Sequence, residues 1–182
     1  MKQNDHDTIF ASSSQFKSAI KIIRITGKKA KNLPKILNFK KPEPRAFSLR
    51  KLTHKNKLID FAPVVWLPKN KSFTGEDTYE IYIHGSIVIE KMIYKILSSY
   101  KNFRLAEAGE FTKRATINGN IDLVQAESIN EIINTQTEKQ LIVAQSQLDG
   151  SLSKVINNWR EEIICMSSLI ESLIDFSDED IP

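Results

Sequence analysis

The 182-residue chain is poor in the residues that announce a chemistry by themselves. Its single cysteine, Cys165, excludes an intrachain disulfide framework and a cysteine-based zinc site, which fits a reducing, cytoplasmic setting. Six glycines and six prolines exclude collagen-like and Pro/Gly-rich disordered classes. No apolar run approaches the ~20 residues a membrane helix requires, and the opening MKQNDHDTIF has no signal-peptide core. Strings of the GxxxxGK[ST], GxGxxG and HExxH types are missing, so local motifs support neither a nucleotide site nor a metal site.

What the chain does have is a real apolar fraction, 41%, and a strong internal charge split. Residues 1–72 carry 17 basic and 4 acidic side chains, residues 73–114 six of each, and residues 115–182 three basic and 12 acidic. A basic head and an acidic tail suggest two parts, or a charged partner on one side. The lysines from Lys28 to Lys71, with Phe39 and Phe47 among them, would attract RNA, although a set of solvated lysines accounts for them more simply.

Hydrophobic periodicity divides the chain in the same way. Ile9–Ala11, residues 19–26, 46–52, 58–68, 78–84 and 103–106 read as strands, with a bulge or break expected at Pro63. In TYEIYIH (78–84), Tyr79, Ile81 and Ile83 share one face while Glu80, Tyr82 and His84 share the other. Residues 28–39 suggest a weak helix interrupted by Pro34, and Ser86–Ser99 a firm one. The expected class is therefore α+β, with a mixed sheet. From about residue 110 the period becomes helical, with Asn120 as a capping candidate. Apolar residues from Leu141 to Leu173 then recur every three or four positions, as in one long amphipathic helix loosened at Asp149-Gly150.

Few candidate site residues stand out on pattern alone. Glu80 lies mid-strand between two tyrosines, where a carboxylate either meets water or receives donors from a ligand. Arg24, in an Ile-rich strand, either pairs with a carboxylate or presents its fork to an anion. His84 ends a strand at a possible pocket mouth, and Lys113-Arg114 is either an anion site or a solvated helix face.

Longer strings add more. KSFTGEDTYEIYIHG (71–85) and RLAEAGEFTKRATINGNIDLVQAESINEII (104–133) resemble the MnmE (TrmE) family of tRNA modification GTPases, and DTIFA (7–11), IIRITG (22–27) and DFSDEDI (175–181) extend the resemblance along the chain. It implies a folate-binding, T-protein-like N-terminal domain over 1–117 that also mediates homodimerisation. The first part of a helical domain would follow over 118–182. It further implies a reduced-folate donor, 5-formyltetrahydrofolate or 5,10-methylenetetrahydrofolate. With MnmG (GidA), the family adds a carboxymethylaminomethyl-type group at C5 of the wobble uridine in tRNA.

The family's folate contacts fall on Arg24, Glu80 and Asn120, the last in place of a lysine. Lys17, in the altered loop SSSQFKS (12–18), His84 and Arg114 are weaker candidates. GTP, Mg and K would belong to a G domain beyond these residues, so no catalytic residue and no GTPase activity are expected here. The alternative is a ligand-free dimerisation module that meets tRNA or a protein through the basic half.

Overall fold

The computed structural model describes residues 7–13 and 18–175. Strands Thr8–Ser12 (β1), Ile20–Thr26 (β2), Ser48–His54 (β3), Lys57–Leu67 (β4), Thr78–His84 (β5) and Phe103–Leu105 (β6) form one sheet in the order β3-β4-β5-β2-β1-β6. Its neighbours pair antiparallel, apart from the parallel pair β1 and β6, so the sheet is mixed. The helices are Leu33–Ile36 (α1), Ile87–Ser98 (α2), Glu110–Ile117 (α3), Leu123–Asn134 (α4), Glu138–Leu148 (α5) and Ser151–Asp175 (α6). The chain is α+β, and two compact units divide between Asn120 and Ile121.

Alternation in the central strands sets the core of the first unit. Ile23 and Ile25 of β2, with Tyr79, Ile81 and Ile83 of β5, are fully buried on one sheet face. Ile93 and Leu97 of α2 belong to the same core, as do Ala30, Leu33 and Ile36 of α1 and the 3-10 turn Ala30–Asn32 before it. Each large aliphatic side chain buried this way contributes roughly 1.5–3 kcal/mol. Lys21 points to the same side, is buried, and holds Glu90 of α2 at 2.5 Å, which ties helix to strand. The Ser86 hydroxyl accepts from the Val88 and Ile89 N–H groups and so caps α2. Gly27 follows β2 at φ +130°, and a Cβ there would lie 2.8 Å from the Thr8 backbone, so the turn requires glycine.

Four local expectations are corrected by the structure. Strand β4 runs through Pro63 without a break, because its ladder to β5 begins only at Val64. The irregularity falls instead between Leu52 and Thr53, opposite Asp60 and Leu58. Pro34 lies in the first turn of α1, where the missing N–H is harmless, rather than interrupting a helix. The cap of α4 is Asp122, whose carboxylate accepts from the Gln125 N–H in a capping box, and not Asn120.

The long amphipathic seam is two helices. Gly150 adopts φ +82° after Asp149, a left-handed conformation that ends α5 and starts α6 afresh. In the second unit α4 packs against α5, burying Ala144, while no described residue of α6 is buried. Trp159, Ile163, Ile170 and Leu173 are among its exposed apolar side chains. Among the described residues, no helix is long and apolar enough to cross a membrane.

Candidate functional site

The strand alternation that buries Tyr79 and Ile81 turns Glu80 and Tyr82 to the opposite face of the sheet. Antiparallel pairing of β2 with β5 then sets Arg24 directly across from Glu80, and Ile22 across from Tyr82. The two charged side chains meet. Arg24 Nε donates to Glu80 Oε1 at 2.8 Å, and its Nη2 stands 2.7 Å from the same oxygen. The Tyr82 hydroxyl donates to Glu80 Oε2 at 2.9 Å. Burial, then the hydrogen bond and charge of Glu80, push the Tyr82 hydroxyl above its ordinary pKa, so it remains a donor at neutral pH.

This cluster is only partly enclosed, since the Arg24 side chain is 33% exposed and that of Glu80 14%. The Arg24 guanidinium also lies 5.7 Å from the centre of the Phe111 ring of α3. On the other side, Phe47 meets Tyr82 edge-on at 4.9 Å. A carboxylate offers about four lone-pair sites. Arg24 directs two donors at Oε1 and Tyr82 one at Oε2, which leaves Oε2 able to accept from a ligand.

His84 stands at the end of the same row. Its Nδ1 is 2.7 Å from Asp60 Oδ1, and its backbone N–H donates to Asp60 Oδ2 at 2.9 Å. Asp60 is buried and holds the ring in place, while the imidazole side chain is 71% exposed. Phe47, Leu49, Phe61 and Ile20 are exposed apolar residues around this face.

Arg114 has a different role. It belongs to a cluster made by α3, β6 and the loop before β5. Arg104 grips Glu110 with two bonds, 2.8 and 2.6 Å, and Arg114 reaches Glu110 Oε1 at 3.2 Å and Glu76 Oε2 at 3.1 Å. Arg114 also donates to the Asp7 carbonyl. Burial alone would push the Glu110 carboxyl up. Hydrogen bonds from Arg104, the Glu107 N–H and Arg114 outweigh it and bring the pKa down to about 2. The solvated-face reading of Lys113-Arg114 does not describe Arg114, which is buried and bonded to Glu110, Glu76 and the Asp7 carbonyl.

Asn120 is engaged elsewhere too. Its side-chain amide donates to the Ser72 and Phe73 carbonyls at 3.1 and 3.0 Å, and Asn118 donates to the Thr74 carbonyl at 2.7 Å, so the pair fastens the loop ahead of β5. That loop reaches Arg24's strand through the hydroxyls of Thr26, Thr74 and Thr78, 2.6–3.3 Å apart. Lys17 lies outside the described residues. Of the residues named from the sequence, Arg24, Glu80 and His84 share one face, whereas Arg114 and Asn120 are fixed to other parts of the unit. Alternation already puts Tyr82 on the Glu80 face, whereas Phe47 stands out in the sequence only as an aromatic among the lysines. No local pattern points to Phe111 or Asp60, and tertiary folding brings both, with Phe47, to this face.

Comparison with known proteins places this architecture. The family model described as the GTP-binding protein TrmE N-terminus matches residues 8–120, and the MnmE helical domain matches residues 123–182. The chain belongs to the MnmE (TrmE) family of tRNA modification proteins. It is 44% identical over 180 residues to the tRNA modification GTPase MnmE of Rickettsia canadensis (strain McKiel). The figures are 45% over 183 residues for the protein of Rickettsia bellii (strain OSU 85-389) and 43% over 180 for that of Rickettsia prowazekii (strain Madrid E). In each case 97% of this chain is covered but only 40% of the relative, so the chain spans about two-fifths of the length of the curated relatives it matches.

Proposed function

We propose that the N-terminal unit binds a reduced folate, 5-formyltetrahydrofolate or 5,10-methylenetetrahydrofolate, in the service of wobble-uridine modification in tRNA together with MnmG. The observation that carries this reading is the half-open Arg24–Glu80–Tyr82 cluster on the face of the sheet away from the core. A pterin edge presents N–H donors, and Glu80 Oε2 has an acceptor site for one of them. Arg24, drawn to Oε1 from the ladder neighbour, is the group that can turn to an acceptor on the ligand. Phe47, Phe111 and Tyr82 supply aromatic surface beside the cluster. These residues fit the ring end of a folate.

The tail end is served differently. Asn120 offers no cation to a folate carboxylate, and its amide protons are occupied by the Ser72 and Phe73 carbonyls. Relative to a lysine there, the lost charge-assisted bond weakens binding by about 1.5–3 kcal/mol. The bound folate supplies a one-carbon unit. The chain's part is to orient it, with Glu80 fixing the ring and Arg24 and Tyr82 fixing Glu80. Homodimerisation is part of the same proposal, because a second copy would cover the exposed Phe47, Leu49 and Phe61 on that face.

Calorimetric titration with 5-formyltetrahydrofolate tests the reading. Saturable heat is expected for the 182-residue chain and is expected to vanish in Glu80→Ala. Absence of heat in the unaltered chain, or equal heat in both, overturns it.

A further inference from the structure

Away from the Arg24–Glu80 face, the first unit carries a small cavity lined by lysine. It measures about 350 Å³, and Lys29, Asn32, Lys35, Tyr100 and Lys101 surround a floor that includes Ile36. Its lining contains three lysines and no carboxylate.

The lysines are mounted on firm backbone. Lys29 immediately precedes the 3-10 turn and Lys35 lies in α1, and both elements are anchored by Ala30, Leu33 and Ile36 in the core. The Lys29 N–H donates to Thr8 Oγ1 at 2.8 Å. The hairpin tip is fastened alongside, since the Thr53 N–H donates to the Leu37 carbonyl and His54 Nδ1 is 2.9 Å from the Ile36 carbonyl. The His54 ring then lies 6.4 Å from Tyr100, edge to face. That hairpin brings Lys55 and Lys57, both exposed, to the same neighbourhood. Between Lys28 and Lys57 the chain has eleven basic side chains and one acidic, Glu43.

We propose that this lysine-lined cavity, with Tyr100 and His54 beside it, is a docking surface for the phosphate backbone of a structured RNA. Several separate positive charges around a concavity suit several successive phosphates better than one small anion. Lysine is a point charge without arginine's planar fork, so these contacts would hold the backbone and position the RNA without reading its bases. Tyr100 and His54 add ring surface on which an unpaired base can stack. A lipid surface is less well matched, because interfacial binding needs apolar side chains to insert beside the lysines, and here the apolar residues form the floor of a hollow. The surface is independent of the folate reading, since it shares no residue with Arg24, Glu80 or Tyr82.

The test is fluorescence anisotropy of a labelled, unmodified tRNA transcript against the full 182-residue chain, with no folate present, across about 50–200 mM salt. The triple variant Lys29→Ala/Lys35→Ala/Lys101→Ala is compared with Lys139→Ala/Lys154→Ala/Arg160→Ala, which removes the same charge from the helical unit. The patch variant is expected to lose roughly tenfold or more in affinity. Its log-log salt dependence should become shallower by about 2, from some 0.7–0.9 per phosphate contact. The control triple is expected to stay within about twofold of the unaltered chain, as is a Lys→Arg triple at the patch.

Equal weakening by both alanine triples reduces the effect to net charge and overturns the proposal. So does an alanine patch variant that binds the transcript normally. Co-sedimentation with phosphatidylserine-containing vesicles that disappears in the patch variant, with RNA affinity unchanged, would assign the surface to lipid instead. Since folate heat is measured separately, its presence or absence does not alter the RNA outcome.

Discussion

Glu80 and Glu110 are both held by arginine, Arg24 in one case and Arg104 with Arg114 in the other, yet they differ in nearly everything around them. Glu110 and Arg114 have side chains 7% and 10% exposed, and their cluster joins α3 to β6, to the loop before β5 and to the start of β1. Glu80 and Arg24 join only two strands that the backbone ladder already holds side by side, and they remain partly open. The first pair solves a structural problem, since α3 has few apolar residues with which to dock. The second solves none that the ladder has not solved. A charged pair that the fold can do without, facing outward beside aromatic rings, is the better candidate for a ligand.

That contrast can be broken most severely from the buried side. Arg114→Ala takes from half-buried Glu76 its arginine partner and leaves the buried Glu110 with Arg104 and the Glu107 N–H alone. A loss of about 3–5 kcal/mol in urea-induced unfolding is expected. A loss below about 1 kcal/mol would show the buried cluster to be as dispensable as a surface pair.

Acid titration comes next. The Glu110 carboxyl is depressed from 4.5 to about 2 in the folded chain, so its stabilisation is complete above about 4.5 and fades as pH falls towards 2. A decline on the order of 2 kcal/mol across that window is expected from this group. Glu110→Gln should flatten the same part of the curve, and an unchanged curve in that variant would assign the acid lability to other groups.

Glu80→Gln sharpens the other half of the comparison. It is expected to change stability by less than about 1 kcal/mol while abolishing the response to folate. A large destabilisation would move Glu80 into the structural class with Glu110. The smallest effect is expected at Tyr79, whose hydroxyl is buried with no protein partner among the described residues. Tyr79→Phe should leave the free energy of unfolding unchanged or raise it, by up to about 1 kcal/mol, because no hydrogen bond is lost. A clear fall would reveal a partner for that hydroxyl.

How far each of these features could be read in advance depends on the range of the interaction that makes it. Strand β5 matches the alternation of TYEIYIH residue for residue, and α2 begins after the serine that caps it, because both signals are local. The α4 cap was misplaced for a local reason as well. Asn120 and Asp122 are both good caps, and Gln125, three residues after Asp122, decides between them through the capping box. At Gly150 the apolar period continues across the break, so periodicity alone joined α5 to α6, and only the positive φ separates them.

The Arg104–Glu110–Arg114–Glu76 cluster was not legible, since Arg114 meets Glu76 38 residues away and the Asp7 carbonyl 107 residues away. The pairing of Arg24 with Glu80 was hidden for the same reason. Each was visible as a charged residue on a strand, while the β2–β5 register that faces them is a property of the sheet.

The division of labour between the two carboxylates is tested most directly by the folate-induced shift in thermal midpoint, measured on the unaltered chain, Glu80→Gln and Arg114→Ala. A ligand that binds only the folded state raises the midpoint progressively with its concentration. 5-Formyltetrahydrofolate is expected to raise the midpoint of the unaltered chain and of the less stable Arg114→Ala, and to leave Glu80→Gln flat. A rise in Glu80→Gln equal to that of the unaltered chain would contradict that division, as would no rise in the unaltered chain.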